Sequence, residues 1–214
     1  VTGKQGDISL YKFSFSLSST TAASSNATTT KFSLYAFTDS GFSSPDGDFS
    51  GTNNSGGLMN AGNCYNGKSG SGLSAGTGGN LGTGSVLVEI YPDKTGCSQG
   101  TTTLKIASGD SRWFELRASV GTLAPSGTAD SLSVQLEGDA AYPTVTPSTG
   151  GASAGTMGVV SIIDTDTNDD FIWSPRSTSS NESNVQYQYN LDWTNGYGVT
   201  GLPATNMTSV TLTK

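Results

Sequence analysis

The chain has 214 residues, of which 33% are hydrophobic and 13% charged, about half the charged share of an ordinary globular protein. Ser, Thr and 29 glycines take up the difference. This excludes coiled coils and helical bundles, which need Ala, Glu, Lys, Leu and Arg in bulk, and 8 Phe, 8 Tyr and 3 Trp exclude outright disorder. The net charge of −7, with no His and no basic stripe, argues against nucleic acid as a partner and against an anionic membrane surface. No apolar run reaches the ~20 residues that span a bilayer, so no membrane insertion is expected.

In chain order the strand signal dominates. Asp7–Leu17 alternates, with Ile8 and Leu10 on one parity and Tyr11, Phe13, Phe15 and Leu17 on the other. The switch at Leu10–Tyr11 predicts a β-bulge or a strand that passes from one sheet to another. Phe32, Leu34 and Ala36 alternate with Tyr35 and Phe37, and Val86–Tyr91 is a nearly continuous apolar run. In Arg112–Val120, Phe114, Leu116, Ala118 and Val120 share one side, with Trp113, Glu115, Arg117 and Ser119 on the other. Leu132–Leu136, Val159–Ile163, Val185–Tyr189 and the pair Val210 and Leu212 complete the set. Between them lie turn clusters, and Ser40–Gly84, rich in Gly, Asn and Ser, reads as a long surface wrap. The expected fold is an all-β, immunoglobulin-like or jelly-roll-type β-sandwich, one domain over residues 1–214 with long Gly/Ser-rich loops.

Cys64 and Cys97 sit in loop-like surroundings and are read as a disulfide, which places the chain in an oxidising compartment. A start at Val1 rather than Met fits a mature form or a fragment whose targeting segment is gone, and is no evidence for the cytoplasm; on the cysteine pair the expected location is extracellular or at the cell surface.

Gly62–Ser69 satisfies the phosphate-loop expression letter for letter, but no strand of any length leads into it and Ser69-Gly70-Ser71-Gly72 cannot start a helix. Nucleotide binding is therefore not expected. Asp164, Asp166, Asn168 and Asp170 space their oxygens as a calcium loop does, yet position 6 is Asp169 rather than Gly and position 12 is Pro175. The run reads first as an exposed acidic turn, with calcium as the alternative, and no other cofactor is expected. Glu89, Glu115 and Glu137 are the carboxylates a glycosidase pair would draw on, and Glu137-Gly138-Asp139 begins like such a motif, but its expected third acid is Tyr142. Without His, the commonest general base is missing, and no enzyme is expected. Trp113, Trp173, Trp193, Tyr187, Tyr189 and Tyr197 are candidates for a sugar-stacking platform. Asn26, Asn53, Asn181 and Asn206 open Asn-x-Ser/Thr sequons.

Arg112-Trp113-Phe114-Glu115-Leu116-Arg117-Ala118, Asp169–Pro175, Asp192–Tyr197 with Gly201-Leu202-Pro203, and the N-terminal Gly6–Phe13 together resemble secreted surface proteins of uncultivated candidate-phylum bacteria. There is a looser likeness to donor-strand filament subunits. The resemblance implies an envelope location and a structural role, and supplies no catalytic residues.

The functional expectation is an extracellular structural subunit that assembles with itself into a filament or surface layer by β-strand addition. Asp7–Leu17 is apolar on both parities, more than a half-buried strand needs. Residues 1–18 are accordingly expected as a donated strand, with Ile8, Leu10, Phe13 and Phe15 buried against another copy. The alternative is a carbohydrate-binding adhesin module, with surface glycans as partner.

Overall fold

A computed structural model describes residues 1–20, 28–68, 79–80, 84–97, 102–121, 131–141, 170–176, 193–202, 204 and 206–213. The fold is all-β, built from two antiparallel sheets packed face to face. The strands are β1 (Ile8–Thr20), β2 (Thr28–Phe37), β3 (Asn66–Lys68), β4 (Gly79–Asn80), β5 (Gly84–Ile90) and β6 (Leu104–Ile106). They continue as β7 (Trp113–Gly121), β8 (Ser131–Leu136), β9 (Phe171–Ser174), β10 (Thr194–Asn195) and β11 (Val210–Thr213). Val159–Ile163 and Val185–Tyr189, expected as strands, lie outside the described residues.

The larger sheet is organised around β1. Along one edge β1 pairs with β6 through Ile8–Leu10 and with β5 through Phe13–Ser19. Along the other it pairs with β9 through Ser9–Phe13 and with β8 through Phe15–Thr20. Both edges are thus occupied by strands of the same chain. This corrects the expectation for residues 1–18. Leu10, Phe13 and Phe15 are buried in their own core, and Ile8 packs against it half-buried. At about 1.5–3 kcal/mol for each large side chain removed from water, these residues already stabilise their own domain. The apolar surplus that suggested a donated strand belongs to a central strand, which needs apolar groups on both faces.

The bulge is where the alternation placed it. The β1–β9 register shifts between Leu10 and Lys12, and with it the parity of the strand. Leu10, Phe13, Phe15 and Leu17 face the second sheet, while Tyr11 belongs to a separate cluster with Tyr91, Ile172 and Trp193.

Among the described residues the second sheet has three strands, in the order β4-β2-β7. Phe32, Leu34 and Ala36 of β2 and Phe114 and Leu116 of β7 cover the inner face of the large sheet, with Phe13 and Phe114 rings 5.1 Å apart. Ala118 and Val120 have the same parity as Phe114 and Leu116 but are exposed, because β7 runs on past the part of the large sheet that faces it.

The Ser40–Gly84 stretch is not a structureless wrap. Its described part makes three single-turn 3-10 segments, Gly47–Phe49, Ser55–Gly57 and Ala61–Asn63, and sends Phe49, Met59 and Tyr65 fully into the core. Asn60 holds it there. The Leu34 N–H donates to Asn60 Oδ1 (2.9 Å), and Asn60 Nδ2 donates to the carbonyls of Phe32 (2.8 Å) and Cys64 (3.0 Å). One buried side chain thereby does for the backbone of β2 what a neighbouring strand would do. Cys64 and Cys97 are bonded, with Cα atoms 5.1 Å apart, and tie this segment to the turn after β5. In the chain-entropy picture a loop of this length stabilises by about 3–4 kcal/mol.

Candidate functional site: an open sheet edge and a buried charged pair

β11 is the last strand of the chain and sits at an edge. It pairs antiparallel with β8, matching Val210 to Val134 and Leu212 to Leu132, and among the described residues it has no strand on its other side. Register fixes the face these side chains occupy. Phe15 pairs with Leu136 and Leu17 with Val134, so the apolar residues of β8 look inward, and Val210 and Leu212 share that side. Leu132 is buried, yet Val210 is 67% and Leu212 60% exposed. Among the described residues the three-stranded sheet does not extend over this edge. Met207, just before β11, is exposed as well, while its N–H donates to the Leu136 carbonyl (2.9 Å). The result is an exposed apolar edge that, among the described residues, has no strand on its outer side, the arrangement that invites another strand.

The opposite face of the large sheet carries a charged pair. β5 sets Ile90 inward, opposite Phe13, and therefore sets Glu89 and Tyr91 outward. Lys12, next to Phe13, falls on the same outer face because of the bulge. Its Nζ stands 2.8 Å from Glu89 Oε1, with Lys12 3% exposed and Glu89 fully buried. Tyr91 donates its phenol O–H to the other carboxylate oxygen, Oε2, at 3.0 Å. Aromatic groups wall the pair off: Tyr11 lies edge-on to Tyr91 at 5.2 Å and to Trp193 at 5.9 Å. Burial, and then the charge of Glu89, push the Tyr11 phenol well above its ordinary value. Water is excluded, and a charge held here is expensive unless paired.

Beside it, Asp139 organises backbone. It is fully buried and accepts from the N–H groups of Asp170 (2.8 Å), Phe171 (3.2 Å) and Gly196 (2.7 Å), joining the end of β8 to β9 and to the turn after β10. Burial raises its carboxyl above the usual range, against the pull of those three donors and of the Lys12 charge.

The remaining expected residues fall as follows. Asp164, Asp166 and Asn168 lie outside the described residues; Asp170 is buried at the start of β9. Among the described residues no group of three metal-ligating side chains comes together. Glu115 pairs with Arg117 on the outer side of the small sheet (2.6 Å), so it and Glu89 point away from opposite faces of the sandwich. Trp193 is buried against Tyr11, Trp173 donates its indole N–H to the Asn195 carbonyl (2.8 Å), and Trp113 is on the other sheet. The three tryptophans therefore form no shared exposed platform, and Tyr187 and Tyr189 lie outside the described residues. In the Gly62–Ser69 run, Asn63 closes a 3-10 turn and Asn66–Lys68 is the short β3, an edge strand rather than the start of a helix. The Lys12–Glu89 pair escaped the sequence reading, which singled out Glu89 as a candidate glycosidase carboxylate and gave Lys12 no role. Among the described residues no helix is long and apolar enough to cross a membrane.

No family model, no curated protein and no solved structure matches this chain.

Proposed function

We propose that this protein is an extracellular structural subunit that assembles with copies of itself into a filament or surface layer by β-strand addition, with the β11 edge as the contact. The observation that carries the proposal is the inward-facing but uncovered pair Val210 and Leu212 on an edge strand. Covering each would contribute about 1–2 kcal/mol at its observed exposure, with main-chain hydrogen bonds in addition. A second copy is the natural occupant, because an edge strand offers backbone pairing to any strand and every copy carries further edges. Pairing β11 with a different edge of the next copy is heterologous and propagates, whereas β11 against β11 closes as a dimer. The disulfide fits an oxidising compartment such as the cell exterior. The envelope role implied by the sequence resemblance agrees with this reading.

The test is negative-stain microscopy and sedimentation velocity on the purified chain, beside a Thr211→Pro variant and a Val210→Lys, Leu212→Lys double variant. Wild type is expected to form elongated or sheet-like assemblies. Both variants should stay monomeric, and the double variant should keep an unchanged melting curve, since Val210 and Leu212 are exposed. A wild-type chain that remains monomeric at high concentration, or stops at a discrete dimer, defeats the proposal.

A further inference from the structure

We propose that Lys12 and Glu89 form an intramolecular isopeptide bond that fastens β1 to β5. This goes beyond the assembly reading and rests on the buried pair alone. The two side chains come from neighbouring antiparallel strands, with Lys12 one position from Phe13 and Glu89 one position from Ile90, the residues that face each other across the ladder. Nζ lies 2.8 Å from Oε1, the oxygen bonded to Cδ, which is the carbon it would attack. A near-attack geometry needs the reacting atoms about 3–3.5 Å apart, and a contact to the bonded oxygen puts the amine beside that carbon.

The contact is close but not aligned as a hydrogen bond. Oε1 has no hydrogen-bond partner although the nitrogen is 2.8 Å away. A relaxed ion pair in a dry site normally aligns its protons on the carboxylate lone pairs. The walls of Tyr11, Tyr91 and Trp193 exclude water from the pair. Transfer of one proton from Nζ to Oε1 across their 2.8 Å contact gives the reacting forms, an uncharged amine and a carboxylic acid.

The chemistry then balances without an outside reagent. The Nζ lone pair attacks Cδ and a C–N bond forms. The C–O bond to Oε1 breaks, and that oxygen leaves as water with the proton it took from Nζ and a second one from the attacking nitrogen, while Oε2 stays as the amide oxygen. No electrons are gained or lost. Tyr91, whose O–H already points at Oε2, polarises the carboxyl and stabilises the charge that gathers on this oxygen during attack. Ser14, directly across the ladder from Glu89, has a buried hydroxyl with no hydrogen-bond partner and stands on the same face as Lys12.

The experiment is intact mass spectrometry of the full chain after reduction, followed by peptide mapping. The expected mass lies about 18 Da, one water, below that of the sequence, with the loss located in a branched peptide joining Lys12 to Glu89. Glu89→Gln should lose about 17 Da instead, as ammonia leaves in place of water, and Lys12→Met should show the full sequence mass. A wild-type chain at sequence mass, or a water lost anywhere else in the chain, overturns the proposal. So does Lys12→Met with the deficit intact. The primary readout is on the wild-type protein, so a variant that fails to fold does not weaken the test.

Discussion

Replacing Asn60 with Ala removes one side chain and strands three backbone groups. The Leu34 N–H and the Phe32 and Cys64 carbonyls all reach Asn60 at 2.8–3.0 Å, inside a residue environment with no exposure. Water cannot take over these bonds. An unsatisfied buried group costs about 1–3 kcal/mol, so three of them should cost about 3–6 kcal/mol after partial relaxation of the loop. In a domain of this size that corresponds to a fall in Tm of about 10–20 °C. Asn53→Ala is the control, because Asn53 is exposed and makes a single 3.5 Å bond to the Lys94 carbonyl, and should change stability by less than about 0.5 kcal/mol. Urea denaturation of both variants with the disulfide intact is the assay. A loss below about 1 kcal/mol for Asn60→Ala would show that the loop is not hung on this residue, and that β2 has another source of backbone satisfaction.

Three further predictions follow from the same structure. Reducing the Cys64–Cys97 bond, or Cys64→Ser, should cost about 3–4 kcal/mol in urea denaturation, and thiol titration without reductant should find no free thiol. Gly57→Ala should destabilise by more than about 2 kcal/mol, since Gly57 has φ +86° and its added Cβ would meet the Ala36 carbonyl oxygen. Gly56→Ala, also at positive φ but with open space around it, should cost only about 1 kcal/mol, and equal losses in thermal melts would contradict the packing. Asp139 has its carboxyl raised by burial, so the unfolded chain ionises it first as pH rises. Its contribution is therefore most favourable below the ordinary Asp pKa and is lost as pH climbs to the raised folded value, and a melting profile that instead improves across that window and is unchanged in Asp139→Ala would refute the assignment.

Local pattern carried much of the architecture. The parity switch at Leu10–Tyr11 located the bulge because alternation is a direct record of which face a side chain occupies. The cysteine pair was legible from its Gly- and Ser-rich flanks. β6 and β9 were not, since Leu104–Ile106 and Phe171–Ser174 are too short to establish a period. Phe49, Met59 and Tyr65 were missed for a different reason. In that loop Asn and Gly build structure through side-chain bonds and positive φ, and composition cannot distinguish this from solvated coil. The candidate sites needed register as well. Val210 and Leu212 alternate like any core strand, and their exposure shows only in the three-dimensional arrangement. Lys12 meets Glu89 because the bulge sets the phase of β1, a fact that belongs to two strands at once.

The central place of β1 has a kinetic side. Its partners are β5, β6, β8 and β9, the last of them beginning at Phe171, so β1 waits for about 150 residues downstream of it to be synthesised before both its edges are filled. Pairing over such separations pays loop-closure entropy before contacts compensate it, which makes folding slow. During that interval Leu10, Phe13, Phe15 and Leu17 lie on an unpaired strand, the kind of segment that aggregates in nascent chains. A strand placed this way stays exposed until β9 has been made. Expression of the protein in a foreign host should respond more to holding chaperones and low temperature than to any change in the final stability of the fold.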